Sequence, residues 1–259
     1  MHPILFHVGG VAVRAYGVFS TLGYLLGGAY FWRYREEMGF SKDEMFDLSL
    51  SIMAGALIGA KLGGLVFYYH GPWLGLRTLM YGGLSFYQGF WGAVLATYLY
   101  VRLHGKTGAL IADRASVAVP LGHAVGRFGC FLNGCCYGRP TSLPWGFVFD
   151  AGNRVPPEYR GVALHPNQLY DLAGTLCLAF LFHQVLTRKP KALAPGSLFC
   201  LYLIGYAAYR FCLEPLRGDD PGALTFYLTT AQWIALAHIA FGLYFLARVK
   251  RLALQAATA

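Results

Sequence analysis

The chain has 259 residues, of which 56% are hydrophobic and only 13% are charged, with a formal net charge of +9. Soluble domains carry about 25% charged residues, so this chain has too little polar surface to cover a water-facing globule. Its many aromatic residues point the same way, since aromatic side chains are enriched at membrane interfaces. The basic residues lie at the ends of apolar runs rather than in one patch, which argues against nucleic-acid binding.

The apolar runs, taken in chain order, predict an all-α integral membrane protein. The N-terminal sequence has neither a basic n-region nor a small-residue cleavage site, so we expect an uncleaved first helix. A transmembrane helix needs about 20 apolar residues. We predict about seven spans, at 16–34, 48–69, 84–103, 117–133, 168–186, 197–214 and 229–247. They form a single transmembrane domain over residues 1–259, with the longest loop at about 134–166.

The basic residues predict the orientation of these spans. Twelve of them flank the spans on one side of the membrane and six lie on the other side. The side richer in Lys and Arg is normally cytoplasmic. We therefore expect an inner-membrane protein whose N-terminus and 134–166 loop face outward and whose C-terminus lies in the cytoplasm.

Three cations fall inside predicted spans, where a charge costs about 2.5–3.5 kcal/mol on insertion scales. Lys61 could reach an interface with its long side chain. Arg210 could form an internal ion pair with Glu214, four residues later. Arg127 has no acidic neighbour in its own span and is surrounded by glycines, which leave room for a bulky ligand. Two arginines on different helices indicate an anionic ligand, and a phospholipid phosphate suits the planar guanidinium.

The remaining signal comes from five motifs that follow one another along the chain. They are VRAYG at 13–17, GAKLGGLVFYY at 59–69, GRFGCFLNGCCYGRP at 126–140, HPNQLYD at 165–171 and YRFCLEPLRGDDP at 209–221. Together they resemble the prolipoprotein diacylglyceryl transferase family of seven-helix bacterial inner-membrane enzymes. The third motif resembles the family signature and is the most specific of the five.

The resemblance implies an activity. Family members transfer the diacylglyceryl group of phosphatidylglycerol to the lipobox cysteine thiol of a prolipoprotein signal peptide and release glycerol phosphate. No metal or other cofactor is implied, and the partners are these two substrates and the surrounding membrane lipids. A central cavity open to the bilayer and to the outer face is expected, because both substrates are embedded in lipid.

The resemblance also implies the site residues. Arg127 matches the signature arginine that binds phosphatidylglycerol, and Arg210 matches the essential arginine of the sixth helix. With Tyr87 these form the expected catalytic group. The expected substrate-binding group adds Tyr16, Lys61, Asn133, Gly138, His165, Gln168, Glu214 and Arg217.

Three positions depart from the family pattern. Tyr87 stands where the third-helix motif normally has a histidine, Cys130 replaces a usual asparagine and Cys135 replaces a usual acidic residue. With a reference pKa near 10, a tyrosine is a poor base at neutral pH, so we expect Tyr87 to donate a hydrogen bond or position the substrate. The departures leave open an active subfamily, or a lipid-binding or transport protein with lost or altered chemistry on the same scaffold.

Six cysteines divide into two groups. Cys177, Cys200 and Cys212 lie inside apolar runs and are expected to pack as small hydrophobic residues. Cys130, Cys135 and Cys136 lie near the predicted outer face, where disulfides can form. For these three the sequence leaves open a structural or disulfide role, a catalytic role and a metal site, although C-x4-C-C matches the usual zinc spacing poorly.

Overall fold

Helices dominate the computed structural model, which describes residues 2–68, 86–149, 155–189, 193–219 and 224–258. The helices in these ranges are α1 Ala15–Arg33, α2 Lys42–Tyr68, α3 Phe86–Leu103, α4 Gly108–Asn133, α5 Asn167–Arg188, α6 Ser197–Leu213 and α7 Thr230–Thr258. Three short antiparallel hairpins accompany them: β1 Ile4–Val8 with β2 Val11–Arg14, β3 Phe147–Val148 with β4 Ala163–Leu164, and β5 Leu224–Thr225 with β6 Leu228–Thr229.

Each predicted span coincides with one of these helices, which confirms the predicted helical class. Within the described ranges, four helices are long and apolar enough to cross a membrane, over Lys42–Val66, Gly108–Asn133, Asn167–Arg188 and Thr230–Ala256. Helix α6 has only 17 residues, fewer than the roughly 20 that a bilayer requires of a helix perpendicular to it. The count of seven spans and the lipid-open cavity stay predictions.

Helix α4 begins nine residues before the predicted fourth span, because two polar residues near its start have partners in the fold. The Asp113 carboxylate accepts hydrogen bonds from the backbone N–H groups of Gly196, Leu198 and Phe199, at 2.7, 2.9 and 3.2 Å. These groups belong to the start of α6, where the first backbone N–H groups of a helix have no intrahelical acceptor. Arg114 donates to the Tyr30 hydroxyl at 3.2 Å. Because both residues are charged, the hydropathy pattern placed them outside the predicted fourth span, 117–133.

The described chain groups into two compact units, Phe31–Ile111 and a larger one that combines Met1–Tyr30 with Ala112–Ala259. In the smaller unit, α2 begins with reciprocal hydrogen bonds between Ser41 and Glu44. Its helices α2 and α3 pack closely at Gly55 and Gly92, where an added Cβ would lie 2.5 or 2.2 Å from the facing carbonyl oxygen. Its buried core consists of Met38, Phe40, Met45, Leu48, Tyr100, Val101 and Ile111. The single-domain prediction stays a prediction.

The larger unit contains α5, α6, α7 and most of α1 and α4. The last residues of α1 and the first residues of α4 belong to the smaller unit. Helices α1 and α4 approach so closely that a Cβ on Gly23 would lie 2.4 Å from the carbonyl oxygen of Gly122. Small residues permit such contacts between membrane helices, whose association depends on close packing rather than on the hydrophobic effect.

The segment between α4 and α5 has a hydrophobic core of its own. Tyr137, Phe149, Val155 and Leu164 are buried together, with Phe131, Tyr159 and Val162 packed against them. The start of the segment is held between the beginning of α5 and the end of α6. Gly138 donates its N–H to the carbonyl of His165 at 2.8 Å, and Arg139 donates to Leu216 at 2.8 Å. Three of the five sequence motifs therefore meet at Gly138.

Gly138→Ala should lower thermal stability, because the new Cβ would lie 2.4 Å from the Cβ of His165 and 2.7 Å from the Leu216 carbonyl oxygen. Overpacking of this kind costs about 1–3 kcal/mol. The matched control is Gly126→Ala, since an added Cβ there meets nothing within 4 Å. We expect a lower melting temperature in detergent for Gly138→Ala and an equal or higher one for Gly126→Ala. Equal melting temperatures for the two variants would contradict this account of the loop.

Candidate active site

Arg127 lies on α4 in the larger unit and forms a buried ion pair across two helices. Its Nε lies 2.6 Å from Oδ2 of Asp171 on α5, a carboxylate that is only 4% exposed. The same Nε donates to Nε2 of His123, one turn earlier on α4, at 2.9 Å. Because the arginine Nε always carries hydrogen, Nε2 of His123 must accept, which leaves the imidazole proton on Nδ1. Asp171 thus supplies the anion that the sequence led us to seek in a ligand.

Arg210 pairs with Glu214 four residues later, so the structure contains the internal ion pair that the sequence left open as one alternative. Both residues are buried at the C-terminal end of α6. Glu214 also accepts a hydrogen bond from the Thr229 hydroxyl at 3.0 Å, which connects the end of α6 to the residue that precedes α7. Glu214 therefore both pairs with Arg210 and links the end of α6 to the start of α7.

Arg217 extends this charged group beyond the helix. Its Nη2 donates to Oδ2 of Asp219 at 2.8 Å, and its Nε lies 3.9 Å from the Glu214 carboxylate. Burial raises the pKa of the Asp219 carboxyl to about 6, while the ion pair with Arg217 opposes the shift. At neutral pH this carboxyl is still ionised and holds the guanidinium.

The two buried ion pairs are neighbours in the larger unit. His123 on α4 and Tyr209 on α6 each lie within electrostatic range of both guanidiniums, those of Arg127 and Arg210. The rings of His123 and Tyr206 are also in contact, with centroids 5.6 Å apart. Helices α4, α5 and α6 therefore contribute their charged residues to one region.

Polar residues of the signature and of the HPNQLYD motif surround this region. Gln168 donates from Nε2 to the carbonyl of Cys135 at 2.8 Å, and Asn133 donates to the Cys135 sulfur at 3.3 Å. His165 contacts the Tyr170 hydroxyl through Nδ1 at 3.1 Å. The Tyr170 oxygen accepts a hydrogen bond from Trp145 Nε1 at 2.8 Å, so the Tyr170 hydroxyl links His165 to Trp145.

Of the other predicted site residues, Tyr16 lies in the same unit as these charged residues, and Lys61 and Tyr87 lie elsewhere in the chain. Tyr16 on α1 lies in the larger unit and packs against Gly129 of α4, where an added Cβ would lie 3.3 Å from the Tyr16 Cα. Tyr16 is also within electrostatic range of Cys130. Lys61 lies on α2 in the smaller unit. Tyr87 falls in the first turn of α3, and its side chain lies outside the described residues.

Asp171 is the main residue that the sequence did not single out. It is buried and lies in the HPNQLYD motif, and an acidic residue near the start of an apolar run was the available signal. Its partner could not be read from helical spacing, because Arg127 lies on another helix. Asn167, from the same motif, is also buried, and neither atom of its amide has a hydrogen-bond partner among the residues the structure describes.

Comparison with known proteins agrees with this arrangement of motifs. A sequence profile of the prolipoprotein diacylglyceryl transferase family matches residues 3–248. A phosphatidylglycerol–prolipoprotein diacylglyceryl transferase of Aromatoleum aromaticum is 36% identical over 260 aligned positions, covering 96% of this chain and 95% of that protein. Proteins with the same name from an Azoarcus species and from Idiomarina loihiensis are 36% and 32% identical, covering 93% and 96% of this chain and 92% and 93% of their own lengths. The chain belongs to the prolipoprotein diacylglyceryl transferase family.

Proposed function

We propose that this protein transfers the diacylglyceryl group of phosphatidylglycerol to the lipobox cysteine thiol of prolipoprotein signal peptides and releases glycerol phosphate. The observation that carries the proposal is the family match over residues 3–248, with relatives of nearly equal length named for this transfer. The chain is accordingly a transferase that acts in a bacterial membrane. The buried charges described above supply groups suited to a phosphate.

Arg127 is the proposed phosphate ligand. Its contacts with Asp171 and His123 both use Nε, and no other partner contacts its side chain within the described part of the chain. The two terminal nitrogens therefore remain for two oxygens of a phosphate, the bidentate arrangement that makes guanidinium–phosphate pairs strong. Asp171 and His123 orient the guanidinium through its third nitrogen.

The reaction proposed for this site is displacement at carbon. The acceptor sulfur attacks the glyceryl carbon that carries the phosphate, and the bond between that carbon and the phosphate oxygen breaks. The electron pair remains on the departing glycerol phosphate, and the thiol proton must leave because the thiolate is the nucleophile. Charge develops on the phosphate oxygen, where Arg127 and Arg210 would stabilise it if both face the headgroup.

The remaining motif residues are proposed to hold the substrates. His165 contacts the Tyr170 hydroxyl through Nδ1, and its Nε2 is proposed to contact a phosphate or glycerol oxygen. Gln168, Asn133, Gly138, Glu214 and Arg217 are proposed to contact the substrates from the start of α5, the end of α4, the loop after α4 and the end of α6. Tyr16 and Lys61 are proposed to contact the lipid headgroup from the first two helices.

We further propose that the protein lies in the inner membrane with its N-terminus outside and its C-terminus in the cytoplasm. The support is the distribution of basic residues, twelve on one side and six on the other.

Arg160 and Arg188 are exposed and fall on opposite sides of the membrane in this arrangement. In a background without the six native cysteines, an impermeant thiol reagent should label Arg160→Cys in spheroplasts and Arg188→Cys only after lysis. The reverse pattern would overturn the orientation.

Arg127→Lys should reduce lipid transfer to a lipobox peptide by about 10²-fold, comparable to the loss of one preorganised donor in other enzymes. Lysine keeps the positive charge opposite Asp171 but lacks the planar fork that binds two phosphate oxygens. Arg127→Ala and Arg210→Ala should abolish transfer. The alanine variants also leave a buried carboxylate without its partner, which costs about 3–5 kcal/mol, so the lysine variant is the more informative one.

The matched control for this experiment is Arg248→Lys on α7, where the arginine is exposed and, among the described residues, contacts only the Tyr244 ring and hydroxyl. It should transfer lipid at the wild-type rate. Melting temperatures of all variants separate misfolding from lost catalysis. Wild-type activity in a folded Arg127→Lys protein would show that Arg127 serves only as the partner of Asp171.

Tyr87 is proposed to position the substrate or donate a hydrogen bond rather than to accept the thiol proton. Deprotonating a tyrosine of ordinary pKa at neutral pH costs about 4 kcal/mol, at 1.36 kcal/mol per unit over roughly three units. Tyr87→Phe should therefore lower turnover modestly, and Tyr87→His should preserve or raise it by restoring the usual family residue. Rates across pH 6–9 test this. A loss of about 10³-fold in Tyr87→Phe, with a wild-type rate that rises through one ionisation, would identify Tyr87 as the base.

A further inference from the structure

Three cysteines are brought together by the way in which α4 ends. Gly134 follows the helix with a left-handed φ of +69°. Cys135 N–H then bonds back to the Cys130 carbonyl and Gly134 N–H to that of Phe131, both at 3.2 Å. This is the Schellman pattern, in which the side chains corresponding to Cys130 and Cys135 commonly touch. Cys136 also has a positive φ, +64°, and turns back toward the same place.

The three sulfur atoms all lie within 4.8 Å of one another, and the three cysteines are unoxidised. In a tetrahedral zinc site with Zn–S bonds of about 2.3 Å, neighbouring sulfurs are about 3.8 Å apart. The observed cluster therefore needs only small side-chain adjustments to reach that geometry. Cys130 is buried and the other two are half-buried, so the cluster is sheltered but reachable.

The surroundings suit thiolates. Asn133 donates to the Cys135 sulfur at 3.3 Å, and Gln168 donates to the Cys135 carbonyl at 2.8 Å, the kind of outer hydrogen bonds that orient metal ligands. The guanidiniums of Arg127 and Arg217 both lie within electrostatic range of Cys136.

We propose that Cys130, Cys135 and Cys136 bind one Zn²⁺ and that the acceptor thiol of the prolipoprotein occupies the fourth coordination position during transfer. The second part rests on the proposed function. Three protein ligands with one open position are typical of catalytic zinc, whereas structural sites have four. The ligand set consists of sulfur alone, which favours zinc or another thiophilic cation over calcium or magnesium.

The proposed zinc site would supply what a tyrosine at position 87 does not, a means to deprotonate the acceptor thiol at neutral pH. A thiol bound to Zn²⁺ is deprotonated, so the acceptor needs no strong protein base. Its proton passes to solvent when the sulfur binds. The sulfur then attacks the glyceryl carbon, the carbon–oxygen bond to phosphate breaks, and the electron pair leaves with glycerol phosphate. The thioether product is neutral and dissociates from the zinc, whose oxidation state does not change.

The position of the cluster fits this role. Cys130 lies one helical turn after Arg127, and the Arg127 guanidinium is within electrostatic range of both Cys130 and Cys136. The proposed phosphate ligand and the proposed thiol ligands therefore lie in the same region at the C-terminal end of α4. Displacement requires this adjacency, because the sulfur must reach the carbon next to the phosphate.

Metal binding can be tested without lipid. Full-length protein in detergent is reduced, stripped with a chelator and titrated with Cd²⁺, whose bonds to thiolates give an ultraviolet charge-transfer band, and then with Zn²⁺ in competition. We expect one equivalent to bind, and each of Cys130→Ser, Cys135→Ser and Cys136→Ser to weaken binding by at least about 10-fold. Cys177→Ser and Cys212→Ser, which replace exposed cysteines on α5 and α6, are the controls. A band that survives in Cys136→Ser would overturn the site, as would a disulfide among the three cysteines in protein purified without oxidant.

Activity then separates this inference from the proposed function. Transfer from phosphatidylglycerol to a lipobox peptide should fall by about 10²-fold or more on chelation and recover with one equivalent of Zn²⁺, as expected for lost activation of a nucleophile. Transfer unchanged by chelation and by Cys136→Ser would refute the zinc role and leave the proposed function standing. Stoichiometric zinc binding with no transfer from phosphatidylglycerol in any metal state would refute the proposed function and the fourth-ligand role.

Discussion

The buried contact between Arg127 and Asp171 is the constraint on which the site depends. A charged group in an apolar environment is stable only if an opposite charge and hydrogen bonds replace its lost hydration. Here one carboxylate on α5 faces a guanidinium on α4, whose Nε also donates to His123 one turn earlier. Removing either partner would leave a buried charge uncompensated, at a cost of about 3–5 kcal/mol. The pair therefore determines how α4 and α5 meet, and it holds the guanidinium in one orientation.

Two further arginines of this region, Arg210 and Arg217, are also paired with carboxylates. Arg210 has Glu214 and Arg217 has Asp219, so each guanidinium in the region has its own carboxylate. A phosphate bound here, as proposed, would not meet a large uncompensated positive charge. Its recognition would depend on hydrogen-bond donors that point in fixed directions, the property in which arginine differs from lysine. This also explains how so many charges can be buried in a chain with only 13% charged residues.

The departures from the family pattern acquire a common explanation in the structure. Cys130 and Cys135 replace other residues at two positions that the end of α4 brings together, and Cys136 completes the cluster. At position 87 this chain has tyrosine where the family pattern has histidine, so it lacks a side chain of near-neutral reference pKa at that position. A cation held by three thiolates would restore the means to deprotonate an acceptor thiol, by coordination instead of proton transfer to a side chain.

The sequence by itself determined the helical architecture and the family. In a lipid environment an apolar run of about 20 residues satisfies its backbone groups only as a helix or in a closed barrel, so run length alone located the helices. The motifs located Arg127, Arg210, Gly138 and His165, and helical spacing was enough for the Arg210–Glu214 pair. Only the tertiary structure identified Asp171 as the partner of Arg127 and Asp113 as the cap of α6. Both carboxylates act on a different helix, and a contact of that kind depends on how helices pack, which no local pattern along the chain encodes.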